Sequence, residues 1–339
     1  NVPLESTNKR MTVFPHIIAG PCAAETEDQI MTTAQALKPL HVIFRAGIWK
    51  PRTHPESFQG IGDKGLKWLQ RVQEEYGLEV ATEVATEEQA EKALQAGIDY
   101  LWIGARTAAN PIQVQTLADI IRQHKTNRTK GIWVKNPVNE DAELWMGDIR
   151  RMQATGLPVW AIHRGCEHRP CWAMANFLRN KMKDLPLLLD PSHLTGDADK
   201  VATLCQTAKN LQMDGLMVEV HPSPASALSD NRQQITPEAF IHILQHLLPT
   251  SERDTELMWL RKEIDEADDK LWDAIVQRMQ VSEKIGAYKK SQHIAVLQPN
   301  RFQEIMTHRR TWGKAHNISE KTIETIMNAI HQESIQRQE

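Results

Sequence analysis

The 339-residue sequence predicts a closed (β/α)₈ barrel followed by an all-α domain of three helices that dimerises. Between residues 16 and 249, short β-rich apolar runs alternate with amphipathic stretches, the pattern of a parallel sheet with crossover helices. The strand–helix pairs number eight, in a span close to the ~250 residues such barrels use, which favours closure over an open doubly wound sheet. After Pro249-Thr-Ser-Glu-Arg253 the character changes to charged helix without Gly or Pro until Gly286. With 41% hydrophobic residues, each part can bury a core.

The strands are expected at His16–Gly20, Val42–Gly47, Leu78–Val84, Tyr100–Ala105, Gly131–Asn136, Val159–Arg164, Leu187–Ser192 and Gly215–Val220. Each precedes an amphipathic helix: Asp28–Leu37, Gly65–Tyr76, Glu87–Ala96, Ile112–His124, Ala142–Thr155, Trp172–Lys183, Ala198–Met213 and Pro237–Leu248, several beginning directly after Thr, Asp or Asn. In the tail, Thr255–Ser291 reads as one helix of roughly fifty ångströms at 1.5 Å per residue. Two shorter helices follow near Arg301–Ala315 and Ser319–Gln338. A long apolar stripe with two short partners completes its burial in a homodimer. The organisation is thus an extension (1–15), a barrel (16–249), a linker (250–253) and a helical domain (254–339).

Lys+Arg 40 against Asp+Glu 43 gives a net charge of -3, without the basic excess of a nucleic-acid-binding surface. No apolar run approaches the ~20 residues that span a bilayer, and the first fourteen residues are too polar for a signal peptide, so a cytoplasmic protein with no membrane partner is expected. A chain opening on Asn1 is read as trimmed by a few residues. Four cysteines are too few for a disulfide framework at this length.

In such barrels the functional groups stand at the C-terminal ends of the strands. Six cations are expected at one mouth: Arg45, Lys50, Arg52, Arg106, Lys135 and Arg164, a local positive field in an acidic protein that suits phosphorylated substrates. Cys22, His193, Glu219 and Asp230 come from strands 1, 7 and 8, neighbours once the barrel closes, and could share one metal. Mixed sulfur, nitrogen and oxygen ligation suits a divalent transition metal better than Mg²⁺. Glu83 stands at the end of strand 3. Gly60-Ile-Gly62-Asp-Lys-Gly65 lacks the strand a dinucleotide loop requires, Cys166 and Cys171 lack a second metal-binding pair, and His221 reads as a supporting residue rather than a ligand.

Ala19-Gly-Pro-Cys22, Lys50-Pro-Arg-Thr53, Gly104-Ala-Arg106, Asp190-Pro-Ser-His193, Val218-Glu-Val-His221 and Ala227-Leu-Ser-Asp230 resemble the short barrel subtype of the 3-deoxy-D-arabino-heptulosonate 7-phosphate (DAHP) synthases. That resemblance implies condensation of phosphoenolpyruvate with erythrose 4-phosphate at the entry to the shikimate pathway. It makes Cys22, His193, Glu219 and Asp230 metal ligands. Arg45, Lys50, Arg106, Lys135 and Arg164 become the phosphoenolpyruvate site, and Arg52 and Thr53 contacts to the aldose phosphate. Lys50 and a metal-bound water are the leading candidate proton carriers, with Glu83 as the alternative. Mn²⁺ is the leading metal, with Fe²⁺, Co²⁺ or Zn²⁺ as alternatives. The sister 3-deoxy-D-manno-octulosonate 8-phosphate synthases, which take a five-carbon aldehyde, typically carry Lys-Ala-Asn-Arg where this chain has Lys50-Pro-Arg-Thr53. Val134-Lys-Asn-Pro137 and Ile162-His-Arg-Gly165 differ from many relatives but keep the charged groups.

On the long helix, Arg261, Ile264, Asp268, Leu271, Ile275, Arg278, Ser282, Ile285 and Lys289 form one stripe. Arg278 falls at a seam position, so either a bound anion or a carboxylate such as Asp268 or Glu283 must answer it. Leu260-Arg-Lys-Glu-Ile-Asp265, Gly286-Ala-Tyr-Lys289 and Gly313-Lys-Ala-His316 resemble the all-helical chorismate mutases. The resemblance implies a chorismate or prephenate site of Arg261 (lent across a dimer), Arg278, Lys289, Gln298, Arg301, Ser334 and Gln338. Gln298 and Phe302 stand where that family often has Asp and Glu, which implies a weakened contact to the substrate hydroxyl. With only some fifteen residues before strand 1, feedback by chorismate or prephenate is expected to act through the tail, either as a working mutase or as a non-catalytic sensor and dimerisation module.

Overall fold

The computed structural model describes residues 14–50, 56–167, 169–250 and 254–338. Eight parallel strands pair in sequence order: β1 (His16–Gly20), β2 (Ile43–Arg45), β3 (Val80–Glu83), β4 (Tyr100–Ile103), β5 (Gly131–Lys135), β6 (Val159–His163), β7 (Leu187–Leu189) and β8 (Gly215–Glu219). Pairing of β8 with β1, His16 opposite Gly215 and Gly20 opposite Glu219, closes the barrel. Around it lie α1 (Glu27–Leu37), α2 (Lys64–Tyr76), α3 (Glu87–Gln95), α4 (Ala105–Ala108), α5 (Pro111–His124), α6 (Ala142–Gln153), α7 (Trp172–Lys181), α8 (Pro191–Thr195), α9 (Val201–Asn210) and α10 (Pro237–Gln245).

Every strand and major helix expected of the barrel is present, but several strands stop short. The run read as Leu187–Ser192 ends at Leu189 because Pro191 has no N–H for a ladder and instead opens α8 at its first position. The short helices α4 and α8 leave no trace in the periodicity, since neither is longer than five residues.

Side chains alternate inward and outward along each strand. Ile18, Ala81, Tyr100, Trp102, Trp133, Ile162, Leu188 and Met217 fill the interior, while the outward set packs beneath the helices. The indoles of Trp102, Trp133 and Trp160 stack at centroid spacings of 6.3 and 5.9 Å. Two residues beyond Ile43, Ala81, Trp133 and Met217, the same alternation delivers Arg45, Glu83, Lys135 and Glu219 to the C-terminal rim.

The chain divides into two compact units after Glu263, inside a helix rather than at a loop. That helix, α11 (Thr255–Ser291), is continuous. Its first turns belong to the barrel unit, where Trp259 is fully buried against Trp172. The second unit holds the rest of α11 with α12 (Pro299–Ala315) and α13 (Glu320–Gln336). Its own core is thin, built on Met279, Met306 and Ile323. Leu271, Trp272, Val276 and Ile326 stay exposed beside a groove of about 830 Å³. None of the helices among the described residues is long and apolar enough to cross a membrane.

Candidate active sites

The segment Asp190-Pro-Ser-His193 gives each residue a separate task. Asp190 caps α8, its Oδ1 accepting from the His193 backbone N–H at 3.0 Å. Its Oδ2 takes the His193 Nδ1 at 2.8 Å and the Lys135 ammonium at 2.7 Å. Ser192 Oγ accepts from the Glu219 backbone N–H at 3.0 Å, fixing the end of β8. Burial alone would raise the Asp190 carboxyl, but His193 and Lys135 together outweigh it and hold the group well below the usual carboxylate range.

This arrangement aims His193 Nε2 at Glu219 Oε1, 3.5 Å away. The ligand atoms of Cys22, Glu219 and Asp230 lie within 4.8 Å of one another, and the Cys22 thiol donates to Asp230 Oδ2 at 2.9 Å. Burial, then the neighbouring Glu219 carboxylate, pushes that thiol up to about 12. Asp230 is set by a left-handed backbone (φ 49°), while Gln233 donates to Glu219 Oε2 at 2.7 Å and Gln234 accepts from the Cys22 N–H at 3.0 Å. A soft sulfur and two carboxylates thus meet at one point, and the His193 imidazole stands against Glu219 without belonging to that group. A thiol beside two carboxylates is a donor set that fits a divalent transition metal.

Beside this set, Lys50, Glu83, Arg106, Lys135 and Arg164 line an enclosed space of about 90 Å³ together with Trp102, His193 and Asp230. Lys50 donates to the Cys22 carbonyl at 2.8 Å. Glu83 lies flat against Gly104, where a Cβ would come within 1.9 Å of its carboxylate oxygen. Arg45 is turned beneath this space: its guanidinium bonds Glu219 Oε1 at 3.3 Å and the Cys22 carbonyl at 2.9 Å, 4.6 Å over the Trp102 ring. Arg52 and Thr53 lie outside the described residues. His221 stands 3.6 Å from Glu25 and is not part of the ligand group, and the Gly60–Gly65 loop packs tightly on Ile48.

In the helical unit, Arg278 donates to Ser334 Oγ, and Lys289 donates to Gln338 Oε1 at 2.9 Å and to the Val296 carbonyl at 2.7 Å. Gly286 permits this, since a Cβ there would lie 2.7 Å from the Gln338 Cα. The carboxylates considered as partners for Arg278 are not used: Glu283 pairs with Arg337 at 2.8 Å. Burial and then Arg309 lower the Arg278 pKa, and His331, stacked 3.8 Å from Phe302, is lowered by burial, Arg278 and Lys289. Among the described residues Arg278, Lys289 and Arg309 have no carboxylate partner. Of the other expected residues, Gln298 lies two positions beyond Val296. Arg301 pairs with Glu304 at an exposed position, and Arg261 falls in the barrel unit.

A model of the DAHP synthetase I family matches residues 9–129 and 160–254. The chain belongs to that family. The stretch between the two matched segments holds β5 and Lys135, where the sequence also departs from the family pattern. Residues 260–339 match chorismate mutase type II. The DAHP synthetase and chorismate mutase domains carry a transferase and an isomerase activity of the shikimate pathway. Phospho-2-dehydro-3-deoxyheptonate aldolase of Thermotoga maritima is 33% identical over 239 residues, 68% of either chain. The crystal structure of that protein superimposes with a TM-score of 0.61 at 32% identity, covering 68% of this chain and 67% of that one. A 2-dehydro-3-deoxyphosphooctonate aldolase of Wolinella succinogenes is 28% identical over 271 residues, 70% of this chain and 99% of that protein.

Sequence reasoning missed three participants. Asp190 was legible as the i, i+3 partner of His193, since an Asp cap before Pro faces the third helical residue. Arg309 and His331 carry no motif and are found only through their proximity to Arg278. In this DAHP synthetase the depressed Asp190 carboxyl contributes stability that is present above about pH 4, the unfolded value, and is lost as pH falls through the folded one. Asp190→Asn is therefore expected to cost about 3 kcal/mol in urea unfolding at pH 7, with the gap to the parent closing below about pH 4.

Proposed function

We propose that the barrel condenses phosphoenolpyruvate with erythrose 4-phosphate in a metal-dependent reaction, and that the helical unit converts chorismate to prephenate and relays feedback by one of them. The observation that carries the first part is the juxtaposition of the cation-lined space with the sulfur and carboxylate group of Cys22, Glu219 and Asp230, beside which His193 lines the same space. Cys22, His193, Glu219 and Asp230 would hold the metal, which when bound supplies Lewis acidity toward the aldehyde. Lys50, Arg106, Lys135 and Arg164 bind the carboxylate and phosphate of phosphoenolpyruvate and hold two mutually repelling anions in attack geometry. Against its burial, Glu219 is kept ionised by His193 and then by Arg45, held under the site. The enol carbon bonds to the aldehyde carbon, water adds at the carbon bearing the phosphate, and phosphate leaves. Lys50 and Glu83 are the groups placed to move protons. The four-carbon aldehyde is favoured by Lys50-Pro-Arg-Thr53 and by the Thermotoga relative, the five-carbon alternative by the octulosonate relatives.

Consumption of phosphoenolpyruvate is expected with erythrose 4-phosphate and not with arabinose 5-phosphate. EDTA is expected to abolish it and Mn²⁺ to restore it, while Cys22→Ser prevents the restoration. Turnover with the five-carbon sugar would transfer the barrel to the sister reaction, and indifference to EDTA would reduce the four ligands to structure.

In the tail, a cluster of cations without a carboxylate partner supports a dianionic ligand. The rearrangement needs no acid or base, so placing charge at the breaking ether is the whole task, which falls to Lys289 and Gln338. Arg278→Ala is expected to lower kcat/KM for chorismate by about 10² and to remove inhibition of the synthase by chorismate or prephenate. Loss of inhibition with no mutase turnover in the parent protein would make the tail a sensor.

The exposed Leu271, Trp272, Val276 and Ile326 beside an open groove support a homodimer through this unit, with Arg261 of the partner subunit completing the site. Sedimentation is expected to give a dimer at micromolar concentration, and a monomer for Val276→Glu. A monomeric parent would sink the dimer. With no membrane-spanning helix among the described residues, the cytoplasm is the proposed location.

A further inference from the structure

The first turns of α11 are sequence of the tail but packing of the barrel. Trp259 is fully buried, edge-on to Trp172 at 6.0 Å and 75°, with the Arg179 guanidinium 5.3 Å from its ring. Glu256 pairs with Arg179, and Glu263 accepts from the Asn176 amide, so three successive turns of the helix grip α7. An indole of this size removes some 150–250 Å² from water. Its own N–H is nevertheless buried without an acceptor among the described residues. Trp259 is therefore held by shape rather than by a hydrogen bond.

What it presses on leads to the substrate cavity. Trp172 is the first residue of α7, behind Cys171 in a left-handed turn (φ 48°). Its other neighbour is His163, with ring centroids 5.4 Å apart, and His163 is backed on a second side by Trp145 at 6.1 Å. His163 Nε2 donates to the Pro170 carbonyl at 2.6 Å, tying the end of β6 to the segment that enters α7. Burial lowers the His163 pKa to about 4, so at neutral pH the ring is uncharged and acts as a wedge with one donor. The next residue is Arg164, whose backbone N–H is fixed to Asn136 Oδ1 at 2.7 Å and whose side chain lines the cavity with Lys135 and Arg106.

We propose that Trp259 is a positioning residue of the synthase: through Trp172 and His163 it sets the seat of Arg164, so that the tail's long helix contributes to phosphoenolpyruvate binding. The inference rests on the reading of Arg164 as a phosphoenolpyruvate ligand and deepens the feedback reading, because α11 is the one helix shared by both units. Movement of α11 is then felt first as a displaced guanidinium, a change in substrate affinity rather than in the chemical step.

The test is steady-state kinetics of the full chain without any tail ligand. Trp259→Ala is expected to raise KM for phosphoenolpyruvate about tenfold, the equivalent of 1.4 kcal/mol, while kcat and KM for erythrose 4-phosphate stay within about twofold of the parent. Trp259→Phe, which keeps an aromatic edge and gives up no hydrogen bond, should restore KM. Glu263→Ala loosens the same grip without opening a core cavity and should raise KM in the same direction, which keeps the test available if Trp259→Ala does not fold. Arg164→Ala serves as the reference. If it raises KM while the Trp259 and Glu263 variants do not, the positioning role is overturned and the site reading stands. If it leaves KM unchanged, the assignment of Arg164 itself fails. A lower melting temperature with unchanged KM in the variants would mark Trp259 as structural only, and would equally overturn the proposal.

Discussion

A charge carried into the rim of a barrel has to find a counter-charge there, because an unpaired ion in so dry a place costs several kcal/mol. The mouth of this barrel is organised by that requirement. Asp190 and Glu219 are fully buried carboxylates, and each is answered twice, Asp190 by Lys135 and His193, Glu219 by Arg45 and His193. His193 is the shared member, with one ring nitrogen on Asp190 and the other 3.5 Å from Glu219. Strands β2, β5 and β8 and the turn after β7 are therefore tied by one charge network. The orientation of the His193 imidazole is a by-product of keeping Asp190 ionised.

The inner alternation decides what stands above that network. Because apolar side chains and then one charged side chain share a parity on β2, β3, β5 and β8, the interior changes from indoles and aliphatic groups to ions within a single residue pair. Trp102 lies at that transition, its face under the Arg45 guanidinium. The polar rim thus rests on a hard, close-packed floor rather than on water, which raises the strength of every interaction in the layer above it.

Much of this was legible in the sequence. Eight runs with the parity of a strand marked the barrel and its rim, and the motifs around Cys22, Glu219 and Asp230 marked three side chains that the fold brings together, with His193 3.5 Å from Glu219. Less legible was what each cation faces. Arg45 and Arg164 look alike in sequence, both at strand ends, yet one is folded under the site against Glu219 and the other lines it, a distinction made by three-dimensional neighbours such as Trp102 and Asn136. The domain junction was hidden for a related reason. Composition marks residues 250–253, whereas packing continues to Glu263 because one large side chain, Trp259, falls on the barrel face of a helix that otherwise reads as tail. Arg309 and His331 had no spacing or motif to announce them, since a cation cluster assembled from three helices has no signature along the chain.

The stacked indoles of Trp102, Trp133 and Trp160 have an optical consequence. At centroid separations of about 6 Å and nearly parallel planes, the three rings exchange excitation much faster than they emit. Light absorbed anywhere in the barrel interior is pooled among them. One member of that pool lies directly beneath Arg45, which answers to the charge on Glu219. Trp102 thus joins the stacked indoles of the interior to the Arg45–Glu219 pair of the rim.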